Sequence, residues 1–353
     1  MRWIIPSCLT LLSAIGIITL RSVTPNLVPI QATFMGLGAI VFLSSWYIGF
    51  TRWSAHRWLL YSGLITLLVI TLLVAEATRG AVSWIEIGGI RVQGSQLAGP
   101  IVGLVLAHFV AQKGLNTAQS IGIFGLLLAI PAGLIVIAPD LGTTIILLFS
   151  MMGIAFVSNL ETKWMVSGAI GSILLVAIAW LFFLAPYQKA RITSFIQPSG
   201  DIQGAGYNAR QALIAVGSGQ LFGRGIGQGI QSHLRFLPER HTDFIFASIA
   251  EEWGFIGSIL VLVLYFVLIG TYFRKAWQLE ESAEYYFLVA TGFFFLFQVV
   301  VNIGMNMQLM PITGITLPFI SYGGSSFLAF CFHCGVAQSI LAKPIEHESQ
   351  HFG

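Results

Sequence analysis

The tightest constraint on this chain is a repeated one: apolar runs of about 20 residues follow one another from end to end, separated by short polar breaks. A helix of that length rises about 30 Å, the thickness of a bilayer's hydrocarbon core. Of 353 residues, 56% are hydrophobic and only 9% charged, too few charges to cover so much apolar surface in water. Short segments of alternating hydropathy, the mark of an outer-membrane barrel, do not occur. The predicted fold class is all-α, a polytopic membrane protein read as one integral domain, 1–353. About ten spans are expected, near residues 3–20, 28–49, 58–75, 97–112, 120–137, 141–157, 165–185, 244–271, 285–303 and 316–341.

The first run, behind Arg2, has the outline of a signal peptide, but no small-residue cleavage site follows it and a second span comes soon after. It reads as the first membrane helix. With the N-terminus in the cytoplasm, the inner termini and short loops carry Arg2, Arg52, Arg57, Lys113, Lys163, Arg274, Lys275 and Lys343. The outer ones carry Arg21, Arg79 and Arg91. That asymmetry predicts both termini inside. Cys8, Cys331 and Cys334 all fall in apolar runs, so no disulfide framework is expected, and Cys331-Phe-His333-Cys334 reads as packing.

One connection dominates, about 58 residues from Pro186 to Asp243, and the topology places it outside. It holds Lys189, Arg191, Arg210, Arg224, Arg235 and Arg240 against Asp201, Glu239 and Asp243. This excess of bases points to an anionic partner, either a substrate or the headgroups of membrane lipids. Its glycines, from Gly204 to Gly229, permit tight turns but match neither a P-loop nor a dinucleotide fingerprint. No nucleic-acid partner is expected. A short helix is predicted over Tyr207–Val216, carrying Arg210. A smaller outer loop, Glu76 to Gln96, is rich in β-branched residues and is placed to close over the large one. The stretch from Asn302 to Ser326, broken by prolines and glycines, is expected to line a cavity, because irregular backbone at membrane depth needs protein or water to satisfy it.

The most polar part of the chain is Leu234 to Gly257, which runs from the large loop into a span. Asp243 reads both as the N-cap of that span and as a general base on a hydroxyl, with Arg240 or His241 beside it. Arginine suits a phosphate-bearing partner, since its planar fork donates paired, charge-assisted hydrogen bonds. Glu251 and Glu252 follow roughly 12 to 13 Å deeper along the helix axis. They read as structural, with Glu251 paired to an arginine, or as a proton path. Asp140, after Pro139, reads as the N-cap of the next helix.

Four motifs, in order, resemble the SEDS family (shape, elongation, division and sporulation), the family of RodA and FtsW. They are Pro139-Asp-Leu-Gly-Thr, Gly206-Tyr-Asn-Ala-Arg-Gln-Ala-Leu-Ile-Ala-Val-Gly-Ser-Gly, Phe236-Leu-Pro-Glu-Arg-His-Thr-Asp-Phe, and Pro311-Ile-Thr-Gly-Ile-Thr-Leu-Pro-Phe-Ile-Ser-Tyr-Gly-Gly-Ser-Ser. The likeness runs from about Ile87 onward and is nearer RodA than FtsW in its central wording. The resemblance implies a peptidoglycan glycosyltransferase of the bacterial cytoplasmic membrane. Such an enzyme polymerises lipid II from the extracytoplasmic side during cell-wall elongation, releases undecaprenyl pyrophosphate, and works with a class B penicillin-binding transpeptidase. It also implies that Asp243 is catalytic. Arg191, Arg210 and Arg240 are assigned to the diphosphate by sign and location, with Glu239 and His241 as further substrate-binding residues. The residues specify no cofactor and no metal-ligand cluster stands out; Mg or Mn at the diphosphate is left open. One stretch departs from the family pattern QPSE followed by lysine: Gln93-Gly94-Ser95-Gln96, with Gly99 in the lysine's place. A flippase for a lipid-linked precursor and a non-catalytic transpeptidase scaffold are the alternatives.

Overall fold

The computed structural model describes residues 2–74, 84–87, 90–196, 205–234 and 236–343. The helices are α1 (Ile4–Val23), α2 (Val28–Ile48), α3 (Phe50–Ala55), α4 (Arg57–Val74), α5 (Ala98–Lys113), α6 (Ala118–Ile137), α7 (Leu141–Val157), α8 (Thr162–Ile178), α9 (Pro186–Ile196), α10 (Ala205–Ser218), α11 (Ile230–His233), α12 (Ile245–Ala276), α13 (Ala283–Asn306) and α14 (Gly324–Leu341). A short antiparallel hairpin, β1 (Ile85–Ile87) with β2 (Ile90–Val92), precedes α5 and sets Glu86 opposite Arg91. Among the described residues, eight helical stretches are long and apolar enough to cross a membrane, and α7 is a shorter apolar helix. The run expected at 165–185 is α8 continued by a π turn, Ala179–Phe183.

Local chemistry sets several boundaries. Thr117 and Ser120 exchange capping hydrogen bonds at the start of α6, and Ser282 accepts from the Tyr285 amide at the start of α13. Asp140 caps α7 as expected, its Oδ1 accepting from the Thr143 amide at 3.1 Å.

Helices α5, α13 and α14 are buried over most of their length, whereas α2, α4 and α6 are largely exposed. Across the described helices many exposed positions are large and apolar, among them Ile40, Leu73, Phe156 and Phe266. A surface of this kind belongs against lipid, and the protein is a multi-pass membrane protein. At the centre, the His333 ring lies within 4.9 to 5.6 Å of the Phe287, Phe294 and Phe295 rings, and Tyr272 donates to Cys334 Sγ. The Cys331–Cys334 motif is thus part of the core.

Helix α12 is two helices on one run of chain. Gly254, at φ 69° and ψ −161°, breaks it after its first turns, a conformation open to glycine and strained for any other residue. A break inside a helix orphans amides and carbonyls, which must find partners. The glycine-rich segment supplies them: the Arg224 and Gly225 amides donate to the Glu251 and Glu252 carbonyls, and the Phe255 and Ile256 amides donate to the Gln220 and Leu221 carbonyls. The long connection from residue 186 is therefore not one loop. It contains α9, α10 and α11, and its glycine-rich part folds back along α12. The short helix expected around Arg210 is α10.

Candidate functional site

The backbone around Asp243 is held from several directions. Its carbonyl accepts from Asn302 Nδ2 at 3.1 Å and Asn306 Nδ2 at 3.0 Å, both on α13. Asn302 Nδ2 also donates to the Ile315 carbonyl at 2.6 Å, and the Ala247 amide donates to Asn306 Oδ1 at 3.1 Å. One residue earlier, Ser321 Oγ donates to the Thr242 carbonyl at 2.7 Å, and the Tyr322 amide donates to the His241 carbonyl at 2.9 Å. The broken segment expected to line a cavity therefore lies directly against residues 241–243. Asp243 is not the helix cap: α12 begins at Ile245 with Phe244 in the cap position. These backbone bonds to residues 302–322 fix Asp243 two residues ahead of the helix, in place of a cap.

The side chains meet at Gly314. A Cβ there would lie 3.6 Å from both Arg191 Nη1 and Asp243 Oδ2, and Gly314 has φ +76°. Glycine at this point leaves the carboxylate and the guanidinium facing one gap. Arg191, on α9, arrives from 52 positions upstream, so the fold brings together what the sequence separates. Arg191 also lines a cavity of about 50 Å³ with Ser194, Phe195, Gly206, Ala209, Gln308, Met310, Pro311 and Ile312. Behind it, α10 packs on the start of α12 through Ala212, Ala215, Leu237, Phe244 and Ala247.

The other expected site residues surround this centre without all converging on it. Arg240 reaches the end of α1, donating from Nη2 to the Val23 carbonyl at 3.4 Å. Glu239 Oε2 accepts from Thr242 Oγ1 at 3.2 Å, and the His241 ring lies 5.8 Å from that of Tyr322. Arg210 is half-buried on α10, one residue beyond the cavity-lining Ala209. Arg235 and Asp201 lie outside the described residues. Among the described residues, no group of three or more His, Cys, Asp or Glu is arranged to hold a metal ion.

A second layer joins the site to the departing stretch. Asp140 Oδ2 accepts from Gln93 Nε2 at 2.6 Å and Ser95 Oγ at 2.9 Å, and Gln96 Nε2 donates to Gln93 Oε1 at 3.1 Å. Two residues into α7, a Cβ on Gly142 would lie 2.9 Å from the Thr313 carbonyl oxygen. Residues 93–96, the start of α7 and the segment carrying Gly314 therefore form one connected layer. At Gly99 a Cβ would lie 2.6 Å from the Phe294 ring, which occupies the space a lysine stem would need. A neutral glutamine, Gln96, and an aromatic ring stand where the family pattern has an acid and a base.

Glu251 and Glu252 are buried, at 0% and 1% exposure. The expected arginine partner for Glu251 is replaced by the Gln231 amide at 2.8 Å, the Ser232 amide at 3.0 Å and Ser232 Oγ at 2.6 Å. Glu252 Oε1 accepts from Ser22 Oγ at 2.5 Å and the Gly227 amide at 3.3 Å, and His233 Nε2 lies 3.1 Å away. Because Ser22 belongs to the last turn of α1, Glu252 sits at the level of that helix end. Both glutamates precede the break at Gly254, so the expected rise of roughly 12 to 13 Å from Asp243 along the helix axis is not altered by it. Sequence reasoning missed Asn302, Asn306 and Ser321; an asparagine pair four residues apart on an apolar helix was the available signal.

Comparison with known proteins agrees with this architecture. The cell cycle protein family of FtsW, RodA and SpoVE matches residues 3–345. A probable peptidoglycan glycosyltransferase FtsW of Pseudoalteromonas translucida (strain TAC 125) is 37% identical over 314 residues, covering 86% of this chain and 77% of the relative. The peptidoglycan glycosyltransferase MrdB of Escherichia coli (strain K12) is 37% identical over 289 residues, 80% of this chain and 76% of the relative. Among solved structures, a chain from a peptidoglycan synthase complex that coordinates polymerization and crosslinking superposes with a TM-score of 0.84 at 29% identity, covering 96% of each chain. The rod shape determining protein RodA of Thermus thermophilus superposes at 0.73 with 28% identity, covering 96% of this chain and 95% of that one. With the match spanning nearly its whole length, the chain belongs to the FtsW, RodA and SpoVE family of cell cycle proteins.

Proposed function

We propose that this chain is a peptidoglycan glycosyltransferase that polymerises lipid II, with Asp243 as general base. Relatives that carry the glycosyltransferase name at 35–37% identity over most of the chain support the activity. The observation that carries the site is the meeting of Asp243 Oδ2 and Arg191 Nη1 at Gly314, beside a cavity. In the proposed reaction the C4 hydroxyl of one lipid II attacks the anomeric carbon of the sugar phosphate on another. Asp243 takes the hydroxyl proton, the new glycosidic bond forms, and the bond to phosphate breaks with its electrons going to undecaprenyl pyrophosphate. Arg191 stabilises charge on the leaving diphosphate, with Arg210 and Arg240 assigned to it by sign and location. Glu239 and His241 flank the acceptor. A positioned proton transfer contributes roughly 10²–10⁴-fold, so orientation of the two substrates carries much of the remainder.

The same reading makes residues 1–353 one domain of the bacterial cytoplasmic membrane, with both termini in the cytoplasm and Asp243 on the outer side. The partner is a class B penicillin-binding transpeptidase, in keeping with the synthase complex in which one structural relative was solved. We assign the chain to elongation from the wording of its central motif; FtsW- and MrdB-named relatives both match at 37%. The flippase alternative needs Glu251 and Glu252 for a translocation path; Glu251 has both carboxylate oxygens filled by Ser232 and backbone amides, and Glu252 is engaged through Oε1 by Ser22 and the Gly227 amide. The test is reconstitution with lipid II, with and without the transpeptidase. Glycan polymer that disappears in Asp243→Asn is the expected result. Headgroup transfer across the bilayer without polymer, indifferent to that substitution, would overturn the reading.

A further inference from the structure

Away from Asp243, the last turn of α1 and the glycine-rich segment enclose an open groove of about 550 Å³, lined by Ile17, Ile18, Arg21, Ser22, Ile226 and Gly227. That volume is in the range of sites that take a small amphiphile. One wall is apolar and open: Ile18 is 41% and Ile226 59% exposed. The other end is polar, with the Arg21 guanidinium and the Ser22 hydroxyl. No ion pair among the described residues involves Arg21.

The depth of the groove follows from its neighbours. The glycine-rich segment bonds to α12 at residues 251–256, and Ser22 closes on Glu252, so the groove lies where α1 ends. Leu221 and Phe222 of the same segment are 60% and 78% exposed, which places apolar side chains at the boundary between headgroups and chains. The charge available is small. One guanidinium faces the groove; the Ser22 hydroxyl spends its proton on the Glu252 carboxylate, which stands directly behind Ser22 and Gly227 and opposes a second negative charge. A diphosphate would meet too little positive charge here, whereas a single phosphodiester matches it.

We propose that this groove is a seat for one bilayer phospholipid, its phosphodiester on Arg21 and an acyl chain along Ile17, Ile18 and Ile226. The inference is independent of the catalytic reading. The seat adjoins the site, because the residue after Ser22 accepts the hydrogen bond from Arg240.

The test uses the full-length protein, stripped of lipid in detergent and titrated with phosphatidylglycerol, with bound lipid counted by native mass spectrometry. Wild type is expected to keep one phospholipid. Arg21→Gln should weaken its retention at least about tenfold, the loss expected for a charge-assisted hydrogen bond. Ile226→Trp, which fills the apolar wall, should lower it as well, and Arg274→Gln should leave it unchanged. Arg21 is exposed, so its variant is expected to fold, and a melting curve checks this. Equal retention by wild type and Arg21→Gln would overturn the proposal. So would preferential retention of a polyprenyl phosphate over phosphatidylglycerol, which would make the groove part of the lipid-carrier path.

Discussion

Asp243 and the pair Glu251 and Glu252 stand eight and nine residues apart on one stretch of chain, and the protein treats them in opposite ways. At Asp243 the neighbours grip the backbone: two asparagines hold its carbonyl, Ser321 holds the carbonyl before it, and the carboxylate meets Arg191 across a glycine. At Glu251 the neighbours grip the carboxylate itself, with two amides and a hydroxyl. A buried acid used as a fastener has its oxygens filled by local donors. At Asp243 the backbone is fixed as well, so the position of the carboxylate does not depend on its own contacts alone. Charge in a membrane protein therefore has to be judged by which atoms its neighbours take.

Substitutions can break this contrast. The largest effect is expected from Asp243→Asn: polymerisation of lipid II should fall by about 10²–10⁴-fold or more, while the melting temperature stays within a few degrees of wild type. Glu251→Ala should do the reverse. Removing a buried, hydrogen-bonded carboxylate leaves its neutral donors unpaired, at a cost of about 1–3 kcal/mol for each. The expected readout is low accumulation in the membrane, with normal turnover per folded molecule. If Glu251→Ala instead folds well and is inactive, the contrast fails.

Smaller effects sharpen it. Arg191→Lys keeps the charge but loses the planar fork, so it should retain an intermediate rate, about tenfold below wild type, with Arg191→Ala lower still. Steady-state kinetics on lipid II would separate the two. Gly254→Ala should destabilise by about 1–3 kcal/mol, because φ is positive and the Cβ would press on the Leu221 to Gly223 backbone. Least of all, Gln308→Gly should raise stability by about 1 kcal/mol, since Gln308 holds φ +56° in a left-handed conformation. Thermal melts in one detergent would rank these variants.

Much of the fold was legible in the sequence because membrane helices are announced by composition alone. The cap at Asp140, the helix bearing Arg210 and the cavity-lining character of residues 302–326 could be read from local chemistry. What could not be read was long-range or conformational. Nothing in the order of residues says that Arg191 and Asp243 both approach Gly314, since that depends on how α9 and α10 fold back. The break in α12 was hidden because a lone glycine in an apolar run is compatible with an unbroken helix, and only the backbone of residues 220–225 makes it necessary. For the same reason Glu251 was assigned an arginine when its partner was the segment around Ser232.

The splint at Gly254 also bears on how the protein meets bilayers of different thickness. Past the break, residues 255–276 form a helix long enough to span the hydrocarbon core, and such a helix matches a thinner bilayer by tilting. The four hydrogen bonds from residues 220–225 make the break an elbow of fixed angle, not a loose joint. Tilt of the long arm is thereby transmitted to the short one, and Asp243 stands just ahead of that arm's free end. Acyl-chain length is therefore expected to reach the site through this elbow, and polymerisation measured in vesicles of shorter lipids would check it.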